Sequence, residues 1–132
     1  MTQRSKKPKK KAGRRPKEDT AKAGERLERA KQQLQEAERC WEDHRFVEAL
    51  KQKPPEEKQR AFDLKVEIGT RILEIENAQI KLVAGKVEKN SKELESAIEG
   101  LGEALETLSN VTRILNATGS LLSIVGRVLA LV

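Results

Sequence analysis

From Val66 onward every seventh residue is apolar: Val66, Leu73, Ile80, Val87, Leu94, Leu101, Leu108, Leu115, Leu122 and Leu129, ten in succession. Only 36% of the chain is hydrophobic, so chance does not give such a row. A seven-residue repeat held in phase predicts a left-handed helical packing seam. The companion row is more mixed: Phe62, Gly69, Glu76, Val83, Asn90, Ala97, Ala104, Val111, Thr118, Val125 and Val132. Glu76 and Asn90 mark a seam that is either locally wet or fixed in register by a buried polar group. Gly100 and Gly102 flank Leu101. Each glycine costs about 1 kcal/mol in a helix interior, so a kink or short break is expected there.

An earlier seam runs through Ala23, Leu27, Ala30, Leu34, Ala37, Trp41 and His44, with steps of four and three. After His44 the phase slips to Phe46, Val47 and Leu50. Pro55 lacks a backbone donor, and Pro54 pushes Lys53 out of the helical region. One helix is therefore predicted over about 20–52, a second from 55 to about 99, and a third over about 103–132. Proline suits the first helical position, and Glu56 and Glu57 sit at the positive end of the second helix's dipole. A connection this short predicts that the second helix packs back on the first as an antiparallel hairpin.

The last stretch, residues 114–132, holds one charge, Arg127, and its apolar positions surround the helix. A helix apolar all round is buried in protein or in lipid. Nineteen residues span about 28 Å, close to the hydrocarbon thickness of a bilayer. Gly119, Ser123, Gly126 and Ala130 form a row of small residues that permits close helix packing or a membrane face.

Charge changes the picture at the other end. Residues 1–19 carry nine Lys or Arg against Glu18 and Asp19, a net +7. The remainder carries 18 basic and 19 acidic residues, a net −1. The segment 1–18 has no Leu, Ile, Val or Phe, and Pro8, Gly13 and Pro16 break helices. It cannot offset its own ordering entropy, so a disordered basic tail is expected, followed by one helical domain over 19–132. Its cations Lys6, Lys7, Lys9, Lys10, Lys11, Arg14, Arg15 and Lys17 suit an anchor to anionic phosphate, in lipid or nucleic acid, or an import signal. No apolar run follows them, so the start is not a secretory signal. The expected location is the cytosolic side, membrane-associated, or alternatively the nucleus, and the chain is not expected to be secreted.

Little else carries chemistry. Cys40 is the only cysteine and His44 the only histidine. With Glu36 they stand at one-turn steps, but weak ligands on one helix do not close a tetrahedral metal site. No catalytic residue, metal or cofactor is expected. Asn110-Val111-Thr112 and Asn116-Ala117-Thr118 match the glycosylation sequon inside an apolar helix and read as coincidence. Aromatic residues are 2% of the chain, which favours long helices over a compact aromatic core.

The stretch Leu108–Leu131 resembles the start of the membrane-associating region of apolipoprotein L-like proteins. The likeness rests on Asn116, Thr118, Gly119, Ser120, Ser123, Ile124, Val125, Gly126 and Leu129. It implies membrane association of the last helix. It implies no channel, because the family's second apolar helix has no counterpart before Val132, and the basic tail is foreign to the family. The sequence thus reads as all-α: an elongated helical hairpin or coiled coil with a disordered basic N-terminal tail and an apolar C-terminal helix. The expected activity is non-enzymatic interaction with protein, either a second copy or another helical partner. The last helix would dock in a membrane or an oligomer core, and the tail would serve as electrostatic anchor. The alternative is a nuclear or nucleic-acid-associated coiled-coil protein.

Overall fold

The computed structural model describes residues 16–130. Among them lie six helices and no strand: α1 (Pro16–Cys40), α2 (His44–Lys51), α3 (Pro55–Asn77), α4 (Ile80–Lys89), α5 (Ser91–Ala104) and α6 (Val111–Leu129). Most of the expected disordered tail, residues 1–15, lies outside the described residues, as do Leu131 and Val132. Pro16, Lys17 and Glu18 already belong to α1, since proline opens a helix readily.

The first predicted helix is two. Asp43 caps α2, its carboxylate accepting the Arg45 backbone N–H at 2.9 Å. A capping carboxylate competes with helical continuation, so the chain turns over Trp41–Asp43. The second predicted helix is three. It stops at Asn77, and Ala78 is extended at ψ 139°. A milder bend falls at Asn90, where the side-chain amide donates to the Lys86 carbonyl at 2.8 Å. Backbone bonds from Asn90 to Lys86 and from Leu94 to Asn90 carry the ladder through it. The kink expected at Gly100 and Gly102 is absent, and α5 runs through both. The chain breaks instead over 105–110, after which Asn110 caps α6 by accepting the Arg113 N–H.

The long elements close into a four-helix bundle of α1, α3, the bent α4–α5 rod and α6. α1 packs on α3, α4 and α5, and α6 packs on α3 and α5. Trp41, the first residue past α1, donates to the Ala61 carbonyl of α3 at 3.1 Å, and Lys31 of α1 approaches Glu76 at 3.8 Å, so α1 and α3 run antiparallel. Arg26 reaches Glu88 and Glu95, while Gln33 lies over Gly102, so α1 runs parallel to the α4–α5 rod. Glu57 pairs with Thr112 and Arg60 with Asn116, so α3 and α6 are parallel. Arg127 meets Glu93 and Arg113 meets Glu103, so α5 and α6 are antiparallel. The connection through Ala78 and Gln79 therefore crosses one end of the bundle diagonally. The opposite end is closed by α2, whose Phe46 is fully buried and packs on Trp41 in a tilted pair with ring centroids 4.9 Å apart.

The core follows the sequence pattern in α1, where Ala23, Leu27, Ala30, Leu34 and Ala37 are all buried. Alternating alanine and leucine lets neighbouring helices approach closely. The last helix finds its cover inside the chain. Val111, Ile114, Leu115, Leu121, Leu122, Val125 and Val128 are buried against the other helices, with Thr118 among them. Asn116, Ser120, Ser123 and Arg127 take the solvent side, and Ile124 is half-buried. No helix among the described residues is long and apolar enough to cross a membrane.

Candidate interaction surface

α3 has two apolar faces. The inner one, Ala61, Leu64, Ile68, Ile72 and Ile75, supplies the core. The outer one carries Phe62, Val66 and Leu73, which are 61%, 57% and 59% exposed, with Gly69 between the last two. At 100° per residue these four positions fall within about 60° of arc, more than 100° from the centre of the inner face. Burial against another helix is the usual reason for such a row, and intramolecular packing leaves this one open. Lys58 and Lys65 border it on one side and Asp63 and Thr70 on the other, all exposed. Asp63 accepts the Gln59 amide at 3.0 Å, and Thr70 donates to the Val66 carbonyl.

The ten-residue row read from the sequence is therefore not one seam. Val87, Leu94, Leu101, Leu115 and Leu122 are buried in the core. Ile80, Leu108 and Leu129 are partly buried against it. Val66 and Leu73 point to solvent. Each interruption of the helix re-aims the axis, so a constant spacing no longer means a constant face. Of the polar seam positions, Glu76 is exposed beside Lys31, and Asn90 serves its own helix at the bend.

The small-residue row of α6 lies along its border with α3. A Cβ on Gly119 would stand 3.5 Å from Nη2 of Arg60, and one on Gly126 only 2.9 Å from Nη2 of Arg71. These arginines fold across the glycines, whereas Ser123 and Ala130 are exposed. Arg71 pairs with Glu67 at 3.2 Å and Glu74 at 3.0 Å, while its Nε is buried without a partner. Beside it opens a cleft of about 550 Å³ lined by Leu73, Asn77, Gln79, Val83 and Leu129 among others. The cleft thus adjoins the end of the outer row.

A second charged group, Arg26 and Arg29 with Glu88 and Glu95, ties α1 to the α4–α5 rod. Among the described residues no group of three His, Cys, Asp or Glu side chains is placed to hold a metal. Cys40 is buried, whereas His44 is 85% exposed beyond the turn that begins α2. Burial, then the Asp43 charge, pushes the Cys40 thiol up to about 12. The thiolate is the nucleophile, so Cys40 should be inert in the native protein at pH 8. A disulfide reagent is expected to label it only in denaturant, and rapid stoichiometric labelling of the folded chain would contradict its placement. The Asp43 carboxyl is held below its usual range by hydrogen bonds from Arg45, and Glu48 is lowered by Lys51.

The outer row of α3 is present in the sequence as Phe62, Val66, Gly69 and Leu73, but the two seven-residue rows that contain it also hold residues that face inward. The steps of Ala61, Leu64, Ile68, Ile72 and Ile75 are the signal that separates the two faces. Comparison with known proteins finds no matching family model, no matching curated protein and no matching solved structure.

Proposed function

We propose that the chain is a non-enzymatic interaction module: a self-covered helical bundle that presents the outer face of α3 to a helical protein partner. The observation that carries this reading is the exposed row of Phe62, Val66 and Leu73 at coiled-coil spacing. Folding does not use these side chains, and a contiguous apolar row on a soluble surface marks a contact site. The C-terminal helix has its apolar side committed to the core, so its role here is to support α3, against which Gly119 and Gly126 lie. A photo-crosslinking residue at position 66 should give discrete adducts in cells. The same residue at Glu99, exposed on α5, should not. Equal adduct patterns at the two positions, or none at position 66, would refute the interaction face.

The basic segment supplies a second, electrostatic contact with anionic phosphate. Its support is the concentration of charge, +7 within residues 1–19 against −1 in the rest. Near an anionic membrane each Lys or Arg contributes about 1 kcal/mol, and the attraction is screened by salt. The full chain should bind phosphatidylserine vesicles or duplex DNA at low salt and release them as salt rises. Deleting residues 1–15 should abolish both while leaving the melting curve of the bundle unchanged. Retention of binding by the truncated chain would place the anionic contact elsewhere.

A further inference from the structure

We infer that the occupant of the outer α3 face is a second copy of this chain, with the two α3 helices side by side and parallel. The inference rests on the reading of α3 as the interaction face. Phe62, Val66, Gly69 and Leu73 occupy positions d, a, d and a of a heptad. In a parallel pair each residue meets its own counterpart, so the layers are Phe62, Val66, Gly69 and Leu73 in turn.

Charge selects the orientation. In a parallel pair, position g of one helix faces position e of the next heptad on the other. Lys58 stands at g and Asp63 at e, so each Lys58 faces the Asp63 of the second copy, twice by symmetry. Lys65, the next g residue, faces the neutral Thr70. An antiparallel pair would instead set g against g and e against e. With the same four layers matched, it would set Lys65 against Ile72 and leave Asp63 beside Thr70, with no opposite-charge pair. Both Lys58 and Asp63 are exposed and free to turn to a neighbour, apart from the Gln59 amide on Asp63.

Gly69 fits the same arrangement. Nothing lies within 4 Å of a Cβ built on it, so packing inside the bundle does not call for glycine there. Glycine is unfavourable inside a helix. In the paired state it falls at a central layer, where the missing side chain lets two backbones approach closely. The row spans about three turns, and with its flanks two copies would bury on the order of 1,000 Å², the lower end for a specific interface. An interface this small suits a reversible dimer, with a dissociation constant expected on the order of 10 μM. The N-terminus of α1 lies at the C-terminal end of α3. In a parallel dimer the two chains therefore enter α1, at Pro16, from the same end of the assembly, which would let two basic segments act on one anionic surface.

Sedimentation equilibrium of the full chain over a concentration range on either side of that constant tests the proposal. The wild type should show a monomer–dimer equilibrium. Val66→Glu should weaken the dimer at least about tenfold, because it sets two carboxylates against each other at a central layer. Its thermal midpoint at low concentration should match the wild type, since Val66 is more than half exposed. Lys58→Glu should weaken the dimer several-fold, and adding Asp63→Lys should restore it. A wild type that stays monomeric, a Val66→Glu dimer as tight as the wild type, or a double variant no better than Lys58→Glu would each overturn the parallel self-pairing. A monomeric wild type whose position-66 crosslinker still captures another protein specifically would leave the interaction face standing with a different occupant. A monomer with no specific adduct would remove both.

Discussion

Deleting residues 111–132 is expected to unfold the whole bundle and leave no soluble helical remainder. α6 contributes seven buried apolar side chains, and all of them except Leu122, at 1% exposure, are fully enclosed. Burying each such side chain stabilises by about 1.5–3 kcal/mol. The deletion also exposes the inward faces of α3 and α5, which lose their largest neighbour. Seven such side chains come to about 10–20 kcal/mol, comparable with the roughly 5–15 kcal/mol by which a domain of ordinary stability is folded. The sequence alone suggested the opposite outcome. There, the last helix looked like a detachable element whose loss would free the protein from vesicles or from an oligomer. Circular dichroism of the 1–110 fragment decides the matter. Low helicity with no cooperative melt is expected. A cooperative transition near that of the full chain would mean that α6 is not part of the core.

The parts of this fold that were legible share one property: the helix ran uninterrupted through the pattern. In α1 the row from Ala23 to Ala37 names the buried face correctly, because 25 residues pass without a break. The boundary at Pro54 and Pro55 was legible because proline acts through its own ring and its missing donor. The break at Trp41–Asp43 was not, since Trp41 and His44 continue the apolar phase and the cap at Asp43 acts on a backbone N–H that no periodicity reports. Ala78 and Gln79 carry no Gly or Pro signal at all. Yet the turn there lets the α4–α5 rod cross to the far side of α1, and this crossing is what splits the long heptad row. Val66 and Val87 stand three heptads apart and face opposite ways, one towards solvent and one into the core. The outer α3 face was thus hidden by its own regularity. For α6 the misleading feature was low charge. Its solvent side is made of Asn116, Ser120 and Ser123, which a charge count treats as silent but which water solvates well enough.

The substitution Leu34→Asp is expected to cost about 4–5 kcal/mol near neutral pH, and its cost should depend on pH. Leu34 is fully buried on α1, between Ala30 and Ala37. Replacing a buried leucine by a short side chain alone costs about 2–5 kcal/mol in lost transfer energy and cavity. The carboxylate adds the penalty of desolvating a charge with no partner at hand. That penalty is relieved by protonation, so the folded-state pKa of the new carboxyl is raised above its unfolded value. The folded state then binds more protons than the unfolded state, and stability falls as pH rises above the unfolded value of about 3.9. The deficit should therefore shrink as pH is lowered towards 4. Leu34→Asn, which has the cavity and a polar group but no titration, should show no such trend. Gln32→Asp, exposed on the same helix, should cost less than about 1 kcal/mol. Urea midpoints at pH 4.5 and pH 7.5 for the three variants test this directly. A Leu34→Asp midpoint equal to that of Gln32→Asp would mean that α1 is not held in the bundle at Leu34. A deficit that does not change with pH would mean that the new carboxyl reaches water.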